Sequence, residues 1–296
     1  MKIRIIGVES FGVRSMCCVV ETARHQVLID PGVALAPRRF GLPPHKTELT
    51  RAALIREAIL KEVEKATDIV ITHFHGDHAP LAEPDEWQIS LEEFASKLGT
   101  AQLWIKSRQG NTRLMEKRYL DFVRFLGERA VDADGRQEGD ISFSFPVAHG
   151  ESGKGTVMMV RIEDGGEVFV HASDVQLLDL DALAIILAWK PDIVFIDGPP
   201  LYLLPLHSLE RLKATDNGRG LVQNIREVVI DHHLLRSKEG LDWLRILREE
   251  GKGKVFCGAE WMGLKVELLE AQRRELFQSG WKNQSLDLFS DLRIGR

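Results

Sequence analysis

Apolar positions along the chain fall into short continuous or alternating runs, separated by polar turns and by stretches of helical period. Residues 3–8 and 16–21 read as strands, and Val27-Leu28-Ile29 as a third that ends in Asp30-Pro31-Gly32. A loop holding Pro37, Pro43 and Pro44 follows over 33–46. Over 48–65 the spacing of Ala52, Ile55, Ile59 and Val63 predicts a helix with one buried face and Thr47 as its cap. Residues 69–72 form the next strand. The pattern loosens from about 81 to 140, which we take as an insertion within a single domain spanning 1–296. Inside it, 102–105 reads as a strand, and 112–126 as a helix able to pack Leu114, Tyr119, Phe122 and Phe125. Regularity returns with strands over 141–145, 156–162 and 167–171, the last two joined by a hairpin at Asp164-Gly165-Gly166. Helices are predicted over 175–189, 217–227, 241–250 and 260–277, the last burying Trp261, Leu264, Leu268 and Leu269. Strands are predicted over 192–196, 228–230 and 254–257. The tail after Trp281 reads as polar.

Residues that ligate metals recur where these strands end. The densest group is His73-Phe74-His75-Gly76-Asp77-His78, with three histidines and one aspartate in six positions. Several imidazoles and a carboxylate buried together must be paired, hydrogen-bonded or bound to a cation. His73 and His75, two apart on chain leaving a strand, point the same way. The turn sends the adjacent Asp77 and His78 to a second position beside the first. That spacing suits two metal ions in one pocket.

With 44% apolar and 28% charged residues, 296 residues bury a full core without staples. The net charge of −5 gives no global case for nucleic-acid binding, so an anionic substrate needs a local basic patch. Lys106, Arg108, Arg113, Lys117, Arg118 and Arg124, against Glu116 and Asp121, make the 81–140 segment basic. It can supply cations for an anionic small molecule or a nucleic acid; a solvated helix face is the alternative. Three cysteines imply no disulfide framework, and Cys17, Cys18 and Cys257 sit in apolar runs as core residues. The longest apolar run, 182–189, is too short to span a bilayer. The expectation is a soluble, cytoplasmic protein with no membrane partner.

Four words carry a resemblance to a known family: Glu9-Ser10-Phe11-Gly12-Val13-Arg14-Ser15-Met16, Thr72-His73-Phe74-His75-Gly76-Asp77-His78, Asp197-Gly198-Pro199-Pro200-Leu201-Tyr202 and Asp231-His232-His233-Leu234-Leu235-Arg236. The His-x-His-x-Asp-His pattern after a strand resembles the signature of the metallo-β-lactamase superfamily. The other words resemble a branch of uncharacterised predicted metal-dependent hydrolases within it. The resemblance covers roughly residues 1–260. It implies an α/β, four-layer αββα sandwich built from halves 1–145 and 146–260.

It also implies a ligand set. His73, His75 and His149 would hold one metal; Asp77, His78 and a later histidine would hold the second; Asp174 would bridge. His149 and Asp174 fall at the third and fourth motifs of the family. His171, three residues before Asp174, competes with it and is given a supporting or core role. Of the adjacent His232 and His233, only one should face the metals. His232 with Arg236 keeps the register of the superfamily's transfer-RNA 3′-processing nucleases, leaving His233 for the core or the substrate. Asp30 resembles a first-motif aspartate that braces the histidine loop; the alternative is an aspartate that merely starts a Pro-Gly turn. Asp197 contacts substrate, holds a ligand histidine, or serves only its turn.

Five imidazoles and two carboxylates form a borderline-soft set, which points to two zinc ions, with manganese or iron open on ligand type. The function implied is a dinuclear metal-dependent hydrolase, nuclease-like or a phosphodiesterase. Asp77 would orient the attacking water and accept its proton, and His232 would assist the leaving group. A small-molecule thioesterase or lactonase uses the same ligands with another pocket. A non-hydrolytic redox protein or a metal-binding scaffold is the reading from a different class.

Overall fold

The computed structural model describes residues 1–150, 153–251 and 254–278; the tail after Trp281 lies outside them. One sheet comes from the first part of the chain, in the order β1 (Lys2–Val8), β2 (Met16–Glu21), β3 (Gln26–Ile29), β4 (Asp68–Ile71), β5 (Gln102–Ile105) and β6 (Ala130–Asp132). The first three strands pair antiparallel and the last three join parallel. Parallel neighbours need crossovers. Helices α1 (Lys46–Val63), α2 (Leu91–Lys97) and α3 (Arg113–Leu126) provide them.

The second sheet uses β7 (Gln137–Glu138), β8 (Ile141–Phe143), β11 (Val160–Asp164), β12 (Glu167–His171), β13 (Ile193–Asp197), β14 (Glu227–Asp231) and β15 (Val255–Phe256). Helices α4 (Leu180–Ala188), α5 (Leu209–Asn224) and α6 (Glu239–Glu250) connect its parallel strands. A ribbon of β9 (Val147–Ala148) and β10 (Thr156–Val157) stands apart. Two short helices, α7 (Gly258–Trp261) and α8 (Arg273–Gln278), follow. The two sheets share one apolar core, with Trp104 of β5 against Phe143 of β8, ring centroids 5.8 Å apart. This is the αββα sandwich that the family resemblance implies.

Several boundaries differ from the sequence reading, each for a local reason. The halves divide between β6 and β7, not at 145, because β7 and β8 pair into the second sheet. The segment from 81 to 140 supplies β5 and β6 to the first sheet, and so is woven into that edge. Helix α1 is capped by His45, not Thr47, through a reciprocal box with Glu48. Its expected face of Ala52, Ile55, Ile59 and Val63 is buried. On α3 the buried stripe is Met115, Tyr119, Phe122 and Leu126, while Leu114 and Phe125 face solvent. The predicted 156–162 strand is split between β10 and β11. The helix expected from 175 begins only at Leu180, because Gln176 and Leu177 take left-handed backbone at φ 54° and 59°. Ser208 caps α5 well before residue 217. The single helix expected over 260–277 is two short ones. Gly263, at φ 71°, ends the first turn, and the chain then crosses back to the N-terminal segment, where Glu267 N–H donates to Ser10 O.

All three cysteines are buried and unpaired. Among the described residues, no helix is long and apolar enough to cross a membrane.

Candidate metal centre

The C-terminal ends of β3, β4, β12, β13 and β14 deliver Asp30, His73, Asp174, Asp197 and His232 to one place. Rigid strands fix such positions better than loops do. Three of these strands leave through a non-glycine residue in left-handed backbone: Asp30 (φ 51°), Ser173 (φ 53°) and His232 (φ 58°). Such conformations hold only where the surroundings over-determine them. At His232 they do, since the buried Asp231 carboxylate accepts from the backbone N–H groups of Ser10, His232 and Gly258. Burial pushes Asp231 up to about 7.

Asp174 lies at the middle. Its side chain is 1% exposed, and neither carboxylate oxygen accepts a hydrogen bond. Imidazole nitrogens surround it: His149 Nε2 at 3.1 Å, His78 Nε2 at 3.3 Å, His232 Nε2 at 3.4 Å, His73 Nε2 at 3.6 Å and His233 Nδ1 at 3.9 Å. His75 Nδ1 is 3.1 Å from His73 Nε2, and both nitrogens of His149 lack a hydrogen bond. A buried carboxylate and a buried imidazole left without partners each carry a desolvation cost. A cation among them removes it. The residues present therefore fit divalent metal. His73, His75, His149 and Asp174 form one group able to hold an ion, and Asp77, His78 and His232 another.

Charges are already polarised. Burial presses His73 and His75 down, His75 to about 3. At His78 burial acts the same way but is outweighed by Asp174 and Asp30, which hold it up at about 10. His232 is likewise raised against its burial, by Glu9 and Asp174. Burial would raise Asp174, yet His78, His232 and His73 hold it well below the usual carboxylate range.

The supporting residues are equally specific. Asp30 stands behind the loop: Oδ1 accepts from Thr72 N–H at 2.8 Å, and Oδ2 accepts from Thr72 Oγ1 at 2.7 Å and pairs with His78 Nδ1 at 2.8 Å. Gly32 lets the chain press on the loop, since a Cβ there would meet His78 backbone atoms at 2.5 Å. Asp197 binds His233 twice, at the backbone N–H (2.8 Å) and at Nδ1 (2.7 Å). His171 lies in the core, with Nε2 donating to Met16 O at 3.0 Å and its ring against Phe195.

Sequence reasoning missed Glu9. One of its oxygens accepts from His232 Nδ1 at 2.7 Å and the other from Arg236 Nε at 2.8 Å. Nothing local singles out a glutamate at the end of the first strand. His232 Nε2 lies 3.3 Å from His78 Nε2 and 3.2 Å from Arg236 Nη2.

Part of the basic segment is paired in place. Arg108 pairs with Glu116, and Lys117 pairs with Glu83 and Asp121. Lys106 is buried, its ammonium donating to Ser107 O, Gln109 O and Asn111 Oδ1. Arg118 reaches the metal loop, donating to Phe74 O at 3.2 Å.

Replacing Asp30 with alanine is expected to lower divalent-metal affinity by roughly 10–100-fold, because it frees His78 and the Thr72 turn together. Competition with a chromophoric chelator measures this; an unchanged affinity would show the brace to be dispensable.

No family model matches the chain. A UPF0282 protein of Methanosarcina mazei is 45% identical over 288 residues, 95% of each chain. The UPF0282 proteins of Methanopyrus kandleri and Pyrococcus furiosus are 37% and 35% identical, covering 93% and 94% of this chain and 99% and 92% of theirs. Among solved structures, the isothiocyanate hydrolase from Delia radicum gut bacteria is 14% identical with a TM-score of 0.51, over 87% of this chain and 95% of that one. A metal-dependent hydrolase of the β-lactamase superfamily aligns with the same identity, score and coverage. At these identities the structural likeness establishes the fold.

Proposed function

The chain belongs to the UPF0282 family and has the metallo-β-lactamase fold, and from that premise we propose that it is a metal-dependent hydrolase with a dinuclear centre. The observation that carries this reading is the buried, hydrogen-bond-free Asp174 carboxylate ringed by imidazole nitrogens. His73, His75 and His149 would hold one ion, Asp77, His78 and His232 the other, and Asp174 both; zinc suits this set best. When bound, two dications supply Lewis acidity and bring a water's pKa from its bulk value down to about 7.

The chain's own groups supply the rest. Asp77 Oδ2 accepts from Arg236 Nη2 at 3.1 Å and is the carboxylate placed to orient the attacking water and accept its proton. His232, engaged at both nitrogens, serves as a ligand. His233, whose Nδ1 is fixed on Asp197 and whose side chain is 13% exposed, against 0% for His232, is the imidazole able to contact substrate.

For substrate, Arg118 beside the loop favours a small phosphodiester. A second reading, an acyl thioester or lactone, is favoured by exposed Leu203, Leu206 and Leu209 on the chain leaving Asp197. Bis(p-nitrophenyl) phosphate, an acyl thioester and a lactone, assayed with metal content, separate the two readings. His75→Ala and Asp77→Ala are each expected to lower turnover of the accepted substrate by about 10²–10⁴-fold. Protein that takes up no divalent ion, or variants of undiminished activity, would refute the hydrolase.

A further inference from the structure

Building on the dinuclear reading, we propose that Arg236 is a resident counter-cation that makes the two metal positions unequal, the Asp77/His78/His232 position being the weaker. At the other position no such charge intrudes: among the described residues, no lysine or arginine is hydrogen-bonded to His73, His75 or His149. At the second, Asp77 Oδ2 and His232 Nε2 are 3.8 Å apart, and Arg236 Nη2 is 3.1 Å from the former and 3.2 Å from the latter. An ion ligated by both atoms, at about 2.0–2.2 Å from each, is forced into contact range of that nitrogen. The guanidinium cannot shed its charge to make room. Like charges this close, out of water, disfavour each other.

Nor is Arg236 free to leave. Its Nε donates to Glu9 Oε1 at 2.8 Å, and its carbonyl accepts from Arg39 Nη2 at 2.8 Å. The Glu9 carboxylate that anchors it also holds His232 Nδ1 at 2.7 Å. One buried side chain therefore fixes both a ligand of the second ion and the cation that opposes it. Filling the second position requires the guanidinium to give up Asp77, so occupancy follows the free metal concentration, while the first position stays filled.

The test is a zinc titration of the full metal-stripped chain against a competing chromophoric chelator, with ions per chain counted by elemental analysis after desalting. The wild-type protein should keep one ion and bind a second roughly 10–100-fold more weakly. Arg236→Met should close most of that gap, and Arg236→Lys, which keeps a charge without the planar fork, should leave much of it; circular dichroism confirms each fold. Two ions bound by the wild type with equal affinity would overturn the proposal and leave the hydrolase standing. So would a gap that Arg236→Met does not narrow. No ion bound at all would remove both. The wild-type titration decides alone should the methionine variant not fold.

Discussion

Asp174→Ala should abolish retention of at least one metal ion and lower hydrolysis by about 10³-fold or more. That magnitude corresponds to the several kcal/mol a bridged pair of dications contributes to transition-state charge, at 1.36 kcal/mol per tenfold. The expectation is specific because Asp174 has nothing else to do. Among the described residues its oxygens make no hydrogen bond, and every group at ion-pair distance is a histidine. A structural aspartate in this fold looks different. Asp231 accepts three backbone N–H groups and Asp30 accepts from Thr72 twice, so their removal unsettles chain geometry. Asp174→Asn is the sharper companion, since it keeps the volume and one acceptor oxygen while withdrawing the charge. Metal content, turnover and the unfolding curve of each variant should be read together. Loss of metal in a still-folded chain matches the assignment; full metal content with full turnover would refute it.

What the sequence made legible was whatever depends on near neighbours. Alternation marked the strands, and the density of His73, His75, Asp77 and His78 marked a metal-ligating cluster, whereas His149, Asp174 and the His232–His233 pair were singled out by the family resemblance. A strand end is visible locally, and the sheet then gathers such ends together: Asp197 and Asp231 lie side by side in the register of β13 and β14. The two adjacent histidines differ in contacts made across the fold. Glu9 reaches His232 from 223 residues away, while Asp197 takes His233. Glu9's role was illegible for that reason, because it appears only when the turn after the first strand packs against the turn after β14.

Charge depends on the fold in the same way. Glu116 and Asp121 stand beside the basic residues in sequence, whereas Glu83, which pairs with Lys117, comes from 34 residues away. The helix expected over 260–277 failed because apolar spacing cannot show that this stretch is held in extended contact with the N-terminal turn. There Arg51 pairs with Glu267, and Arg14 with Glu270.

Arg273→Ala should be the most destabilising single change away from the metal centre, by about 3–5 kcal/mol. Both partners of the Arg273–Glu48 pair are 0% exposed. The guanidinium meets the carboxylate with two parallel bonds, Nε to Oε2 and Nη2 to Oε1, each 2.8 Å, and Nη1 donates to Ala36 O and Leu42 O. Glu48 also accepts from His45 N–H to cap α1. Truncation leaves a buried carboxylate without its counter-charge and the Ala36 carbonyl without its donor, which costs far more than a surface pair would. For a chain of this size, about 2–4 °C per kcal/mol places the loss near 10 °C in Tm. Arg273→Lys keeps the charge but not the fork and should recover only part of it. Replacing both partners by apolar residues should recover more, because no charge is then stranded. The effect should extend to the metal centre. Helix α8 places Arg274 over Phe40, Arg39 stacks on Phe40 and Tyr202, and Arg39 holds the Arg236 carbonyl. Loosening α8 in a variant that still folds should therefore weaken the hold on Arg236 and narrow the gap between the two zinc affinities. Denaturant unfolding and the zinc titration, run on the same samples, check both halves. A stability change under about 1 kcal/mol, within the range of exposed pairs, would show that the buried fork is not what ties the C-terminal helix to the fold.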